Sequence, residues 1–142
     1  MTYNKILVAM DGSLQSYHGF LKAVELAKEN QAELLLVHVI NLRSMAFVGT
    51  YDSSTVERME EQIESKLTEA LKEAIDAGIE EVSTLIQYGS PSIMITREIS
   101  RDFHPDLIIC GATGRNAIEK ILVGSVSSSI IKLAKCDVLI IR

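Results

Sequence analysis

The sequence predicts an α/β protein: an open, five-stranded parallel sheet with helices on both faces, in a single domain over residues 1–142. Three observations predict it. The runs Ile6-Leu-Val-Ala9, Leu34-Leu-Leu-Val-His-Val-Ile40 and Leu107-Ile-Ile-Cys110 are continuously apolar, the pattern of strands covered on both faces. Strand-like runs alternate with helix-period segments, which implies crossover connections and a parallel sheet. Two strand exits are polar or glycine-rich, Asp11-Gly-Ser13 after the first strand and Gly111 to Ser127 after the fourth. If those strands are neighbours, the order is 3-2-1-4-5 and both exits face the crevice where such sheets collect ligands.

Each element has its own justification. Ile6–Ala9 is the first strand. Ser13 can cap a helix whose apolar residues fall at Tyr17, Phe20, Leu21, Val24 and Ala27, ending near Asn30. Leu34–Ile40 is the second strand. Residues 41–54, with Gly49 and a polar stretch, read as a surface loop of the kind that often serves as a lid. A helix from about Ser54 to Ala77 carries Val56, Met59, Ile63, Leu67, Ala70, Leu71 and Ala74 as its stripe, and Gly78 suits the left-handed stop after it. Val82–Gln87 is the third strand. Pro91 opens a third helix that must end before Pro105. Asp106–Cys110 is the fourth strand. Gly124-Ser125 opens a last helix with Val126, Ile130, Leu133 and Ala134 on one face, and Val138–Ile141 is the fifth strand.

Composition narrows the function classes. The net charge is −5, from 14 basic and 19 acidic residues, without a basic block. A nucleic-acid partner needs a cationic face and is not expected. Cys110 and Cys136 both lie beside apolar strand runs and read as reduced, buried thiols. No signal peptide is evident, and no apolar run approaches the ~20 residues that span a bilayer. The expectation is a soluble, cytoplasmic protein with no membrane partner.

The glycines carry the chemistry. Glycine lets backbone N–H groups approach a ligand closely, and a helix start adds unpaired donors and partial positive charge, so the Gly111-to-Ser127 stretch reads as a phosphate pocket. There is no G-x-x-x-x-G-K-[ST] loop. The first strand is followed by Met10-Asp-Gly-Ser13 rather than G-x-G-x-x-G, which excludes the dinucleotide fingerprint. Gly111 or Gly114 alone would be an ordinary turn glycine; together with Gly124-Ser125 at a helix start they are a stronger signal. Ser125 and Ser127 offer hydroxyls and N–H groups, and Arg115 and Lys120 can add charge or be plain surface residues. Asp11 can accept a ribose hydroxyl, help hold a metal beside phosphates, or cap its own turn. Val39 can pack on a purine or belong to the core. The histidines lack ligand spacing, and no Ser-His-Asp signature appears.

These residues resemble the ATP-binding branch of the universal stress protein family, marked by G-x2-G-x9-G-[S/T]. The chain reads Gly111-Ala-Thr-Gly114, nine residues, then Gly124-Ser125. The likeness extends over Lys5 to Ser13, Leu34 to Val39, Tyr88 to Pro91, Pro105 to Ile109 and Val138 to Arg142. It implies the 3-2-1-4-5 sheet of the adenine nucleotide alpha hydrolase-like fold. It further implies adenine held by the backbone around Ala9 and Met10 and by Val39, ribose held by Asp11, and phosphates cradled by Gly111, Gly114, Gly124, Ser125, Val126 and Ser127, often with Mg²⁺ or Mn²⁺, beside which Arg115 is the candidate to add charge. Dimers form in this family by antiparallel pairing of last strands, here Val138–Ile141. One departure is Cys136-Asp137, where the family often has Cys-Pro.

The expected function is an ATP-responsive stress or signalling module that binds without catalysing. A slow metal-dependent ATPase or phosphotransferase, with Asp11 and a metal orienting water, is the alternative. An interaction protein that uses the fold without nucleotide is a third.

Overall fold

The computed structural model describes residues 2–41, 53–112 and 124–142. The expected loop segment 42–52, with Met45, Phe47 and Gly49, and the middle of the glycine motif, with Gly114, Arg115 and Lys120, lie outside the described residues. The elements are β1 (Lys5–Ala9), α1 (Leu14–Asn30), β2 (Glu33–Ile40), α2 (Ser53–Asp76), β3 (Val82–Tyr88), α3 (Pro91–Ile93), a π-helical stretch (Met94–Ile99), α4 (Ser100–Phe103), β4 (Leu107–Gly111), α5 (Ser125–Leu133) and β5 (Asp137–Ile141).

All strand pairs are parallel, and the sheet runs β3-β2-β1-β4-β5, the expected order. Alternate residues of the buried strands feed two cores. Ile6, Val8, Leu34, Leu36 and Ile109 pack with Phe20, Ala23 and Ala27 of α1 and Leu67, Ala70 and Ala74 of α2. Leu7, Leu35, Val37, Ile108 and Cys110 pack on the other face with Ile95, Ile99 and Ile130. Removing side chains of this size from water stabilises by about 1.5–3 kcal/mol each, which is why unbroken apolar strands fold only between two helical layers. Among the described residues, no helix is long and apolar enough to cross a membrane.

Four local readings need correction. The buried face of α1 is Ser16, Gly19, Phe20, Ala23 and Ala27, whereas Tyr17 and Leu21 of the expected stripe are 40% and 42% exposed. Close approach to the sheet selects small residues there: a Cβ on Gly19 would stand 3.3 Å from Ile109 Cγ2. Tyr17 lies outside, stacks on Phe20 and donates to Glu73 Oε1 of α2 at 3.0 Å. In α5 the buried residues are Ser127 and Ile130, and Val126 is 42% exposed.

The third helix is not one regular α-helix. Its middle turn is widened into the π-helical Met94–Ile99, and the Ser100 hydroxyl donates five residues back to the Ile95 carbonyl. Such hydroxyl back-bonding competes with the helical ladder and bends it. Elsewhere the punctuation holds: Pro91 is at a first helical position and Gly78 has φ +104°. Asp106 precedes β4 rather than opening it. Its carboxylate accepts from the Asn4 and Lys5 N–H groups at 2.8 and 3.1 Å, tying the start of β1 to that of β4.

Candidate functional site

The winding reverses between β1 and β4, which pair as Ile6↔Leu107, Leu7↔Ile108 and Val8↔Ile109. The carboxyl ends of these two strands therefore lie side by side, and the turns leaving them form the site.

The exit of β1 is a closed hydrogen-bonded turn. Met10 N–H donates to the Val37 carbonyl at 2.7 Å, extending the β1–β2 ladder past Ala9 and leaving that N–H unavailable to a ligand. Asp11 is exposed, and its Oδ1 accepts from Ser13 N–H at 2.8 Å, the self-capping turn that Asp-Gly-Ser favours. Gly12 at the tip has φ +84°. Ser13 Oγ then accepts from Ser16 N–H at 3.1 Å, capping α1 as expected. Ala9 and Val39 are half-buried and pack against the second core, on one face of the sheet.

The exit of β4 is built differently. Ala112 N–H donates to the Ile141 carbonyl at 2.7 Å, so the strand is followed along β5 to its last pair. The Ala112 carbonyl accepts twice, from Gly124 N–H at 2.6 Å and from Ser127 Oγ at 2.8 Å. This joint fastens the start of α5 to the end of β4. Ser127 is 2% exposed, so its hydroxyl serves the joint and only its N–H is left for the phosphate role expected of it.

Gly124 is the N-cap of α5 in an extended conformation, φ −64° and ψ 166°, and as a glycine it has no side chain with which to cap the helix. The first intrahelical bond runs from Ser128 N–H to the Gly124 carbonyl at 2.9 Å. The N–H groups of Ser125, Val126 and Ser127 therefore have no carbonyl partner within the helix. Three orphan donors and the positive end of the helix dipole suit an anion.

Gly111 has a packing reason of its own. A Cβ there would stand 2.8 Å from Gln15 Cβ and 3.2 Å from both Gln15 C and Ser16 N. The glycine lets the first turn of α1 sit directly on the end of β4, which draws the two exits together. The Cys110 thiol is pushed up to about 12 by burial and, secondarily, by the negative charge of Asp11.

The structure thus brings together Ala9, Met10, Asp11, Gly111, Gly124, Ser125, Val126 and Ser127, with Val39 at the end of the adjacent strand. Sequence reasoning passed over Gln15, Ser16 and Ala112. Only Ser16 had a local signal, the Asp-x-Ser-x-x-Ser spacing of a self-capped turn. Among the described residues no group of three or more His, Cys, Asp or Glu side chains could hold a metal ion. These residues build no metal cage, and Asp11 is the carboxylate that could meet a cation arriving on a phosphate.

The model of the universal stress protein family matches residues 2–142. The chain belongs to the universal stress protein family. A Staphylococcus saprophyticus protein bearing that name is 39% identical over 142 residues, all of this chain and 85% of the relative. Among solved structures, universal stress protein UspA from Lactobacillus plantarum superposes with a TM-score of 0.86 at 26% identity, over 100% of this chain and 99% of the other. A universal stress protein solved in complex with cAMP gives 0.75 at 24% identity, over 100% and 98%.

Proposed function

We propose that this universal stress protein binds ATP in the crevice between the β1 and β4 exits and acts as a nucleotide-responsive stress or signalling module. One observation carries the reading: α5 starts at an uncapped glycine that is fastened to the end of β4, beside the turn that presents Asp11. The triphosphate would lie against the Ser125, Val126 and Ser127 N–H groups. The ribose would meet Asp11, and the base would lie along Ala9 and Val39. That a family member has been solved with cAMP supports an adenine nucleotide as the ligand class. Gly114 and Arg115, outside the described residues, would complete the proposed cradle, and Mg²⁺ or Mn²⁺ would enter on the phosphates.

Calorimetric titration tests this, with micromolar binding, about −8 kcal/mol, as the expected result. Gly124→Asp sharpens it. The extended backbone at this position accepts any residue, and an aspartate there would cap α5 with its own carboxylate. Folding should gain about 0.5–1 kcal/mol while ATP affinity falls at least tenfold, since the cap takes the phosphate's donors and repels it. ATP binding unchanged in Gly124→Asp would place the phosphates elsewhere.

A homodimer belongs to the same reading. β5 ends the sheet order, pairs with β4, and carries half-buried Val138, Leu139, Ile140 and Ile141. An edge of this kind is protected when a second copy pairs with it. Light scattering should give twice the mass of one chain, and Leu139→Lys should lower it to one; a monomer at all concentrations would refute the pairing.

A further inference from the structure

The turn between β1 and α1 hangs on a serine that makes no ligand contact in the reading above. Ser16 is 2% exposed. Its Oγ accepts from Asp11 N–H at 3.3 Å and donates to the Ser13 carbonyl at 3.0 Å. Its own N–H donates to Ser13 Oγ at 3.1 Å, and Ser13 N–H donates to Asp11 Oδ1 at 2.8 Å. The four bonds close a loop from the Asp11 backbone through Ser16 and Ser13 to the Asp11 carboxylate. Ser16 also abuts β4, since its N lies 3.2 Å from where a Gly111 Cβ would be. The loop is therefore anchored to the rigid sheet rather than to the exposed turn it supports.

We infer that Ser16 is the positioning residue for Asp11 and sets how strongly the site depends on the ribose hydroxyls of its nucleotide. The inference rests on the nucleotide reading proposed above. With Oδ1 engaged by Ser13, Oδ2 is the carboxylate oxygen assigned to a ligand hydroxyl. A hydroxyl recognised by a fixed carboxylate contributes affinity; one recognised by a carboxylate that must first be ordered contributes much less. Removing the Ser16 hydroxyl takes away the acceptor of Asp11 N–H and the donor to the Ser13 carbonyl, two of the four bonds, and loosens the turn, including Gly12 with its φ of +84°. It leaves the α5 donors in place. The loss therefore falls on the ribose contribution and not on the phosphate contribution.

The experiment compares ATP, 2′,3′-dideoxy-ATP and adenosine by calorimetry on the full chain, with far-UV circular dichroism confirming the fold. Wild type should prefer ATP over the dideoxy nucleotide by about tenfold, the weight of one charge-assisted hydrogen bond. In Ser16→Ala that preference should shrink to about twofold or less, while the ratio of ATP to adenosine affinity stays as in wild type. Asp11→Asn should lose the preference similarly, and the double variant should lose no more than Asp11→Asn alone, because both act through one carboxylate. If Ser16→Ala does not fold, the near-isosteric Ser16→Cys, a weaker acceptor, should give an intermediate preference. A wild-type preference retained in Ser16→Ala or Ser16→Cys overturns the inference, as does an equal loss for ATP and the dideoxy nucleotide. Wild-type protein that binds no nucleotide overturns the underlying reading instead, and the inference with it.

Discussion

Gly111→Ala separates a packing glycine from a phosphate glycine. The added Cβ would meet Gln15 Cβ at 2.8 Å, about 1 Å inside ordinary carbon contact, and Gln15 C and Ser16 N at 3.2 Å. Two of these three atoms are backbone in the first turn of α1, so no rotamer change relieves the overlap. The helix start must lift from the sheet. Overpacking of this kind costs about 1–3 kcal/mol, and the backbone neighbours place it in the upper half, about 2–3 kcal/mol. For a domain of this size that lowers the Tm by about 8 °C. The assay is thermal unfolding without nucleotide, where a phosphate cradle contributes nothing. Gly19→Ala is the control. Its Cβ meets only side-chain atoms, Ile109 Cγ2 at 3.3 Å and Ile141 Cγ1 at 3.8 Å. A helix gains about 1 kcal/mol on replacing glycine by alanine, so that variant should stay within about 1 kcal/mol of wild type. A Gly111→Ala protein melting within about 2 °C of wild type would refute the close approach of α1 to β4.

The remaining predictions concern the other strand exit and the thiol below it. Ser127→Ala removes the buried hydroxyl bond to the Ala112 carbonyl and should cost about 1 kcal/mol in urea unfolding. By loosening the joint it should weaken ATP binding more than adenosine binding, and an equal effect on both would refute its link to the phosphates. Cys110 gives a pH signature. Its folded pKa is raised from an ordinary 9.0 to about 12, so the folded state keeps a proton that the unfolded chain releases. That stability is complete below about pH 9 and is lost at about 1.4 kcal/mol per pH unit between 9 and 12. Denaturant midpoints measured from pH 8 to 11 should fall, and Cys110→Ala should flatten the fall; an unchanged slope would show that the thiol does not carry it.

The strands were legible because a parallel strand buried on both faces needs an unbroken apolar run, and β1, β2 and β4 each have one. The strand order was legible only on the condition that the strands with polar exits are neighbours, together with the family resemblance. Helix faces were less legible. The face of α1 is chosen by closeness to the sheet, so Gly19 and Ala23 are inside while the larger Tyr17 and Leu21 are outside, opposite to a ranking by hydrophobicity. The π-helical turn depends on the Ser100 hydroxyl competing for a backbone carbonyl, which no periodicity reveals. At the strand exits, residue types and spacing singled out Asp11 and Gly124 as candidates. Gln15 and Ala112 act through tertiary proximity and backbone groups that any residue carries, so their identities hold no signal.

The two helix starts at the switch point would let one crevice meet two different chemistries. Both point N–H groups toward the same end of the sheet, yet α1 satisfies its own donor with Ser13 Oγ, while α5 begins at Gly124 with no side chain to do so. A self-capped helix offers an anion little, and its capping network is instead spent on fixing the Asp11 carboxylate. That carboxylate would repel phosphate if it stood at α5, but at α1 it can accept hydroxyl hydrogens. The pairing of β1 with β4 and the missing side chain of Gly111 hold the two ends close together. A ligand that is anionic at one end and hydroxylated at the other meets both demands at once. Inorganic phosphate and a free nucleoside each meet one, and should bind far more weakly than a nucleotide that joins them.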